Sequence, residues 1–289
     1  MFFIDGAYVK EEEAKISVLD IGLLRGFGVF DYLRTYRGKP FHLWDHLKRL
    51  CFSAEEIGLT LPYSLEEIAK IVDTVIELSG LSEASVKLVV TGGISPDQFT
   101  PQERGSLIVF AYPLTTYPKQ CYTDGVDVIT TPQGRFFPAC KSTQYLSGIV
   151  ALKKDRSQAP MEALYLNGNG DLLEGTTSNF FGVQEKTLLT CDTNEVLKGI
   201  TREVVLKLAQ DRFESLLRPV HCEEIERLSE AFLTSSNKEI MPIVSIDGKT
   251  VGDGTVGPVT KELMALFAEY TEQDKWDDVN IARHEKVKV

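Results

Sequence analysis

The chain has 289 residues, 43% of them apolar, and a formal net charge of −11. That length suits two domains with cores of their own, and the acidic balance argues against nucleic acid or an anionic membrane as partner. No apolar run approaches the roughly 18 residues of a membrane span, and Met1-Phe2-Phe3-Ile4-Asp5 lacks the basic start of a signal peptide. Residues 1–9 read as a strand, followed by a solvated turn at Glu11-Glu12-Glu13. The stretch Asp20 to Gly28 is a glycine-punctuated loop that leads into a strand, Val29 to Tyr36, closed by the turn Arg37-Gly38-Lys39-Pro40. Leu43, Leu47, Leu50, Ala54 and Ile57 recur at three and four, which predicts a helix over about 43–57, and the same period predicts another over 65–78. Val86 to Thr91 and Ser106 to Tyr112 read as buried strands on either side of a Gly-, Pro- and Asp-rich loop.

Pro113 to Lys119 is the best interdomain linker. It divides the chain into a small α/β domain over 1–112, a linker over 113–122 and a larger domain over 123–275. The larger domain reads as strands near 126–131, 162–166, 179–184, 187–191 and 231–235, with helices at 142–155, 201–212 and 260–270. Asn167-Gly168-Asn169-Gly170 and Ile246 to Val251 are hairpin turns. Trp276 to Val289 is charged and aperiodic, the pattern of a loose tail. The fold class is α+β, a mixed α/β arrangement.

Three stretches carry chemistry. Lys141 follows Phe136, Phe137 and Pro138 at an expected strand-to-helix joint. Such a setting desolvates an amine and lowers its pKa; a lysine after a strand is also ordinary surface. Glu174 precedes the loop Gly175-Thr176-Thr177-Ser178-Asn179, whose hydroxyls and amides suit an anion or form a plain turn. Gly199-Ile200-Thr201-Arg202 opens a helix with Thr201 as its expected N-cap, and exposed amides there attract phosphate. Arg49, at the edge of the first helix, offers a balancing cation or a surface charge. His42 and His46 stand four apart without an evident carboxylate partner, so a helix start is preferred over a metal site. The cysteines Cys51, Cys121, Cys140, Cys191 and Cys222 form no close pair, which points to a reducing cytoplasm rather than to disulfides or zinc.

In order and spacing the chain resembles the class IV, fold-type IV pyridoxal-phosphate aminotransferases. The resemblance spans about 2–272 and rests on Arg25-Gly26-Phe27-Gly28-Val29-Phe30-Asp31, His46-Leu47-Lys48-Arg49-Leu50, Lys141-Ser142-Thr143, Glu174 to Asn179, Leu197 to Arg202, and Phe232 to Ser236 followed by Met241-Pro242-Ile243. It implies a two-domain enzyme whose larger domain has a β-barrel-like core. It implies pyridoxal 5'-phosphate as cofactor, with Lys141 as the Schiff-base lysine and Glu174 beside the ring nitrogen. Arg49, Ile200, Thr201 and Ser236 match phosphate-binding positions, and Thr177 and Ser178 lie in the loop beneath the cofactor. Ping-pong transfer between an amino acid and a 2-keto acid, and a homodimer, are implied with it.

The substrate is less legible. The familiar D-amino-acid enzymes of this family carry an arginine where this chain has Gly92, and the branched-chain enzymes carry one where it has Lys87. A less typical group of D-amino-acid aminotransferases has an arginine at the place of Arg25 and a Thr-Gly-Gly loop followed by Ser-Pro-Asp. Thr91-Gly92-Gly93 and Ser95-Pro96-Asp97 match that pattern. The leading expectation is D-amino-acid transamination with Arg25, Phe30 and Lys87 around the substrate. Branched-chain L-amino-acid transamination, aminodeoxychorismate lysis (against which Tyr32 counts), a non-catalytic cofactor-binding protein and a sugar-phosphate α/β enzyme are the alternatives.

Overall fold

Alternating strands and two amphipathic helices build the first of two units in the computed structural model, which describes residues 1–154, 160–273 and 275–279. This unit comprises Met1–Thr115, Cys140–Gln144 and Lys275–Asp278. Its strands are β1 (Phe2–Ile4), β2 (Ala7–Val9), β3 (Gly28–Tyr36), β4 (Lys39–Pro40), β5 (Ala84–Thr91) and β6 (Ser106–Pro113), with helices α1 (Ile21–Arg25), α2 (Leu43–Glu56) and α3 (Leu65–Ser79). The strands form one antiparallel sheet in the order β2-β1-β6-β5-β3-β4. Along β3 the side chains alternate. Val29, Asp31, Leu33 and Thr35 are buried, while Phe30, Tyr32 and Arg34 are half-buried on the other face. Val29 and Leu33 join Leu47 and Leu50 of α2 and Ile68 and Val72 of α3 in the core.

Several sequence expectations shift here. The single strand expected over 1–9 is a hairpin, because Asp5 and Gly6 both take positive φ and reverse the chain. The loop before β3 contains α1, started by Asp20 accepting a hydrogen bond from the Gly22 amide at 2.7 Å. Of the stretch expected to be a loose tail, Trp276 packs edge-on against Phe41 and Tyr36, and Asp278 pairs with Lys48 at 2.5 Å; residues 280–289 lie outside the described residues.

The second unit comprises Thr116–Ala139, Tyr145–Asp274 and Val279–Val289. It contains α4 (Gln120–Thr123), β7 (Val126–Thr131), α5 (Leu146–Lys154), β8 (Glu162–Leu166), β9 (Asp171–Gly175), β10 (Asn179–Gln184), β11 (Thr187–Leu189), α6 (Ile200–Ala209), β12 (Ser215–Leu216), β13 (Val220–His221), β14 (Glu230–Ser235), β15 (Glu239–Ile246), β16 (Lys249–Thr250) and α7 (Pro258–Thr271). Strands β10, β14, β15, β7, β8 and β9 pair in succession, and β9 pairs back to β10 through Glu174 and Asn179. The result is a closed six-stranded barrel, filled by Val126, Leu164, Leu172, Phe180, Leu233, Met241 and Ile243. The long strand β15 was not foreseen, since Pro242 argues against a strand interior.

All five cysteines are free thiols. Among the described residues no helix is long and apolar enough to cross a membrane, and no cluster of His, Cys, Asp and Glu is arranged to hold a metal. The two helix-start histidines do have carboxylate partners: His42 Nδ1 lies 2.8 Å from Asp45, and His46 Nδ1 lies 2.7 Å from Asp31.

The Asp31–His46 contact is wholly buried and generates a pH dependence. Burial pushes the His46 pKa down to about 4, against the opposing pull of Asp31, from an ordinary value of 6.5. Burial raises the Asp31 carboxyl, but Arg49 and His46 outweigh it and hold the group well below its usual range. An unfolded chain therefore takes up a proton at His46 between those two pH values while the folded chain does not, so stability falls as pH drops through that window. We expect His46 to account for a loss of about 3 kcal/mol between pH 6.5 and 4. Urea denaturation at a series of pH values checks this: His46→Gln should flatten the upper part of the acid limb.

Candidate active site

Lys141 sits in an extended segment rather than at a helix start. The Phe30 amide donates to the Lys141 carbonyl at 2.9 Å, the Thr143 amide donates to the Gly28 carbonyl at 3.0 Å, and Ser142 bridges Val29. Helix α5 begins only at Leu146. From α2, the Ser53 hydroxyl accepts the Lys141 amide at 3.0 Å and the Ser53 carbonyl accepts from the buried Cys140 thiol at 3.2 Å. The backbone of Lys141 is thus fixed on both sides within the first unit. Phe136 and Phe137, expected to shield the amine, are exposed. The aromatic neighbour is Phe30, whose ring centroid lies 4.8 Å from Lys141 Nζ.

The same ring lies 4.9 Å from Nζ of Lys87, which projects from β5 opposite Tyr32. Burial lowers the Lys87 pKa. Tyr32 and Ser85 share a hydroxyl–hydroxyl bond of 2.9 Å on this face. At position 92 there is no room for a side chain: a Cβ on Gly92 would lie 2.6 Å from Ile21 and 2.7 Å from Phe27. Arg25 is exposed at the end of α1, with Nη1 donating to the Leu24 carbonyl at 3.1 Å.

Arg49 is buried and turned toward Asp31, with Nε at 2.9 Å and Nη2 at 2.7 Å from its carboxylate. Sequence reasoning placed Arg49 beside a ligand and missed this partner, although Asp31 closes another of the motifs that carry the resemblance.

In the second unit Glu174 is the penultimate residue of β9, with its carboxylate buried. Oε1 accepts from Arg135 Nε at 3.0 Å and Nη2 at 2.6 Å, while Oε2 accepts from the Leu197 amide at 2.9 Å and Asn179 Nδ2 at 3.4 Å. Donors to both oxygens favour the ionised form. Burial works against the Arg135 charge, but Glu174 outweighs it and raises the guanidinium pKa. Arg135 was missed from the sequence, where it stands six residues before Lys141 and outside every motif quoted.

Helix α6 starts one residue earlier than expected. Gly199 is the N-cap and carries no side-chain bond, and Thr201 lies inside the first turn. A cap side chain at 199 is excluded, because a Cβ there would fall 1.9 Å from Asn179 Oδ1. The first amides of α6, including those of Ile200 and Thr201, therefore have no side-chain cap and form an anion-seeking helix end.

The loop Gly175–Ser178 crosses the barrel seam. The Thr176 and Thr177 hydroxyls both donate to Glu162, whereas the buried Ser178 Oγ has no partner among the described residues. Ser236 is half-buried in the turn between β14 and β15.

The family model described as amino-transferase class IV matches residues 28–246. A putative branched-chain-amino-acid aminotransferase of Methanocaldococcus jannaschii is 34% identical, over 95% of this chain and 96% of that protein. A D-alanine aminotransferase of Staphylococcus haemolyticus is 30% identical, over 93% of this chain and 97% of that one. Among solved structures, the branched-chain amino acid aminotransferase of Escherichia coli has a TM-score of 0.89 at 28% identity, covering 95% of this chain and 96% of its own.

Proposed function

The chain belongs to the class IV aminotransferases, enzymes that use pyridoxal phosphate, and we propose that Lys141 is its Schiff-base lysine and a D-amino acid its donor. Once bound, the cofactor supplies an electron sink for the pair left when an α-proton is removed. Lys141 Nζ is the group to carry that proton, since its backbone is pinned while its amine stays near an aromatic ring. Glu174 would sit at the ring nitrogen, and its ionised state, maintained by Arg135 and the Leu197 amide, would keep that nitrogen protonated. The uncapped amides of Ile200 and Thr201, the unpartnered Ser178 hydroxyl and Ser236 would take the phosphate. Thr177 lies in the same loop. Arg49 would add charge that Asp31 already partly offsets. An acidic partner for a ring nitrogen and an uncapped helix end for a phosphate are what this cofactor's two ends call for.

The observation that carries the substrate assignment is the pair of amines around one ring. Lys141 and Lys87 both approach Phe30 within 5 Å of its centroid, one suited to the proton and the other to a carboxylate. With position 92 closed to any side chain, Lys87 and the exposed Arg25 are the cations left to hold that carboxylate. Similarity to the staphylococcal D-alanine aminotransferases and the Thr91-Gly92-Gly93 loop followed by Ser95-Pro96-Asp97 support the D-form. A second reading, transamination of branched-chain L-amino acids, is favoured by the 34% identity to the Methanocaldococcus jannaschii protein.

Purified enzyme given pyridoxal phosphate, a 2-keto acid and a panel of D-alanine, D-glutamate, L-leucine and L-valine decides between them. We expect transfer from the D-amino acids, none with Lys141→Ala, and a KM raised on the order of tenfold with Lys87→Met, the loss of one charged hydrogen bond. Turnover of the L-amino acids alone would replace the D-assignment by the branched-chain one.

We also propose a homodimer. Val18, Leu23, Ile94 and Phe99 of the first unit are more than half exposed, and the Asp20–Ile94 bridge and the Ile21–Gly93 hydrogen bond tie the segments of the first three together; apolar exposure of this kind marks an interface. Sedimentation equilibrium should return twice the chain mass, and a monomer mass at micromolar concentration would contradict it.

A further inference from the structure

The second unit holds a buried ion pair that none of the roles above uses. Lys238 Nζ lies 2.8 Å from Glu162 Oε1 and 2.7 Å from the Thr177 hydroxyl. Lys238 is 3% exposed and Glu162 1%. Glu162 opens β8. Besides Lys238, its carboxylate accepts the Thr176 hydroxyl, the Thr177 hydroxyl and, at 3.2 Å, the Thr177 amide. Lys238 ends the turn that joins β14 to β15 and contains Ser236. One pair thus ties together three barrel segments: the start of β8, the loop between β9 and β10, and the turn after β14.

The hydrogen-bond directions decide what each loop hydroxyl has left to offer. Lys238 has only protons to give, so the Thr177 oxygen accepts from it and its own proton goes to Glu162. The Thr176 proton goes to Glu162 as well. Ser178 is the remaining hydroxyl of the loop. It is 7% exposed and has no partner among the described residues. A Cβ on Gly175 would lie 2.4 Å from this Oγ, so a side chain at 175 would displace the hydroxyl from its place. A buried ion pair of this kind contributes little net stability compared with apolar residues of the same shape, but its geometry is stringent.

We propose that Glu162 and Lys238 are positioning residues of the cofactor pocket, clamping Thr176 and Thr177 so that Ser178 Oγ is the loop hydroxyl presented to the cofactor's phosphate. Thr177 becomes a strut of the pocket rather than a ligand. The turn carrying Ser236 is held by the same clamp: Lys238 anchors its end, and Asn237 Nδ2 donates to the Tyr117 hydroxyl at 3.2 Å. This rests on the reading that the loop faces pyridoxal phosphate.

The test uses the paired exchange Glu162→Leu with Lys238→Met, which leaves no orphaned charge and so keeps folding within reach. Apo-protein is titrated with pyridoxal phosphate by absorbance, with circular dichroism and a melting curve to establish the folded state. We expect the folded double variant to bind the cofactor on the order of tenfold or more weakly, as misplaced contacts do. Ser178→Ala should weaken binding in the wild-type background and add less than about twofold in the double variant, because the two changes act on one contact. Wild-type affinity in the double variant, or an equal cost of Ser178→Ala in both backgrounds, would overturn the proposal. Failure of the unaltered apo-protein to bind pyridoxal phosphate would instead overturn the functional reading beneath it. If the paired exchange does not fold, Lys238→Arg carries the same cycle: it keeps the charge but moves its donors, so it should show the same coupling to Ser178→Ala at smaller size, and independence of the two would count against the clamp.

Discussion

Two backbone hydrogen bonds fix where the amine we propose to be reactive begins. The Phe30 amide holds the Lys141 carbonyl and the Gly28 carbonyl holds the Thr143 amide, so Cys140–Gln144 belong to the first unit while the residues on either side belong to the second. Ser53 adds a third bond, from the last turn of α2. A lysine anchored this way loses freedom only at its backbone, and its four-carbon stem stays able to swing Nζ. Phe30 is on the same short ladder, so the ring beside the amine and the backbone beneath it are set by the same register. A slip of one residue would turn Phe30 to the buried face and bring Asp31 out, which the buried contacts of Asp31 with His46 and Arg49 oppose.

Three buried carboxylates, in both units, are paired with a cation, and each stands at the root of a loop or segment with a proposed role. Asp31 has Arg49 and His46, Glu162 has Lys238, and Glu174 has Arg135. Removing charges from water is costly, and such pairs are weak evidence of stability. What they do supply is direction. Asp31 turns Arg49, Arg135 and the Leu197 amide hold the two oxygens of Glu174, and Glu162 draws two threonine protons away from the loop surface. A protein that handles a cofactor with a phosphate, a ring nitrogen and a carbonyl gains from having each donor and acceptor committed before the cofactor arrives.

Much of the fold was legible. The three-and-four spacing of Leu43, Leu47 and Leu50 gave α2 nearly to the residue, and Asn167-Gly168-Asn169-Gly170 gave the hairpin between β8 and β9. The stretch around Lys141 was misjudged as the start of a helix because its extended form comes from pairing with β3, over a hundred residues away, and local propensity carries no trace of that. Strand β15 was hidden by Pro242 for a similar reason: barrel pairing overrides a local preference. In the site, local chemistry raised Lys141, Glu174 and Thr201 as candidates, and motif order gave them, with Ile200, their roles. Arg135, Glu162 and Lys238 were invisible because a charged residue in a sequence looks the same whether it faces water or a buried partner. Only the barrel's closure, bringing β8, β9, β10 and β14 around one seam, makes ion pairs of them.

Among several buried or half-buried lysines, Lys141 is the one we propose to bond the cofactor. Borohydride reduction of the protein loaded with pyridoxal phosphate makes such a bond permanent, and peptide mass spectrometry then locates it. We expect a phosphopyridoxyl group on the peptide carrying Cys140-Lys141-Ser142. Label on the peptide of Lys87 or of Lys238, with Lys141 unmodified, would contradict it.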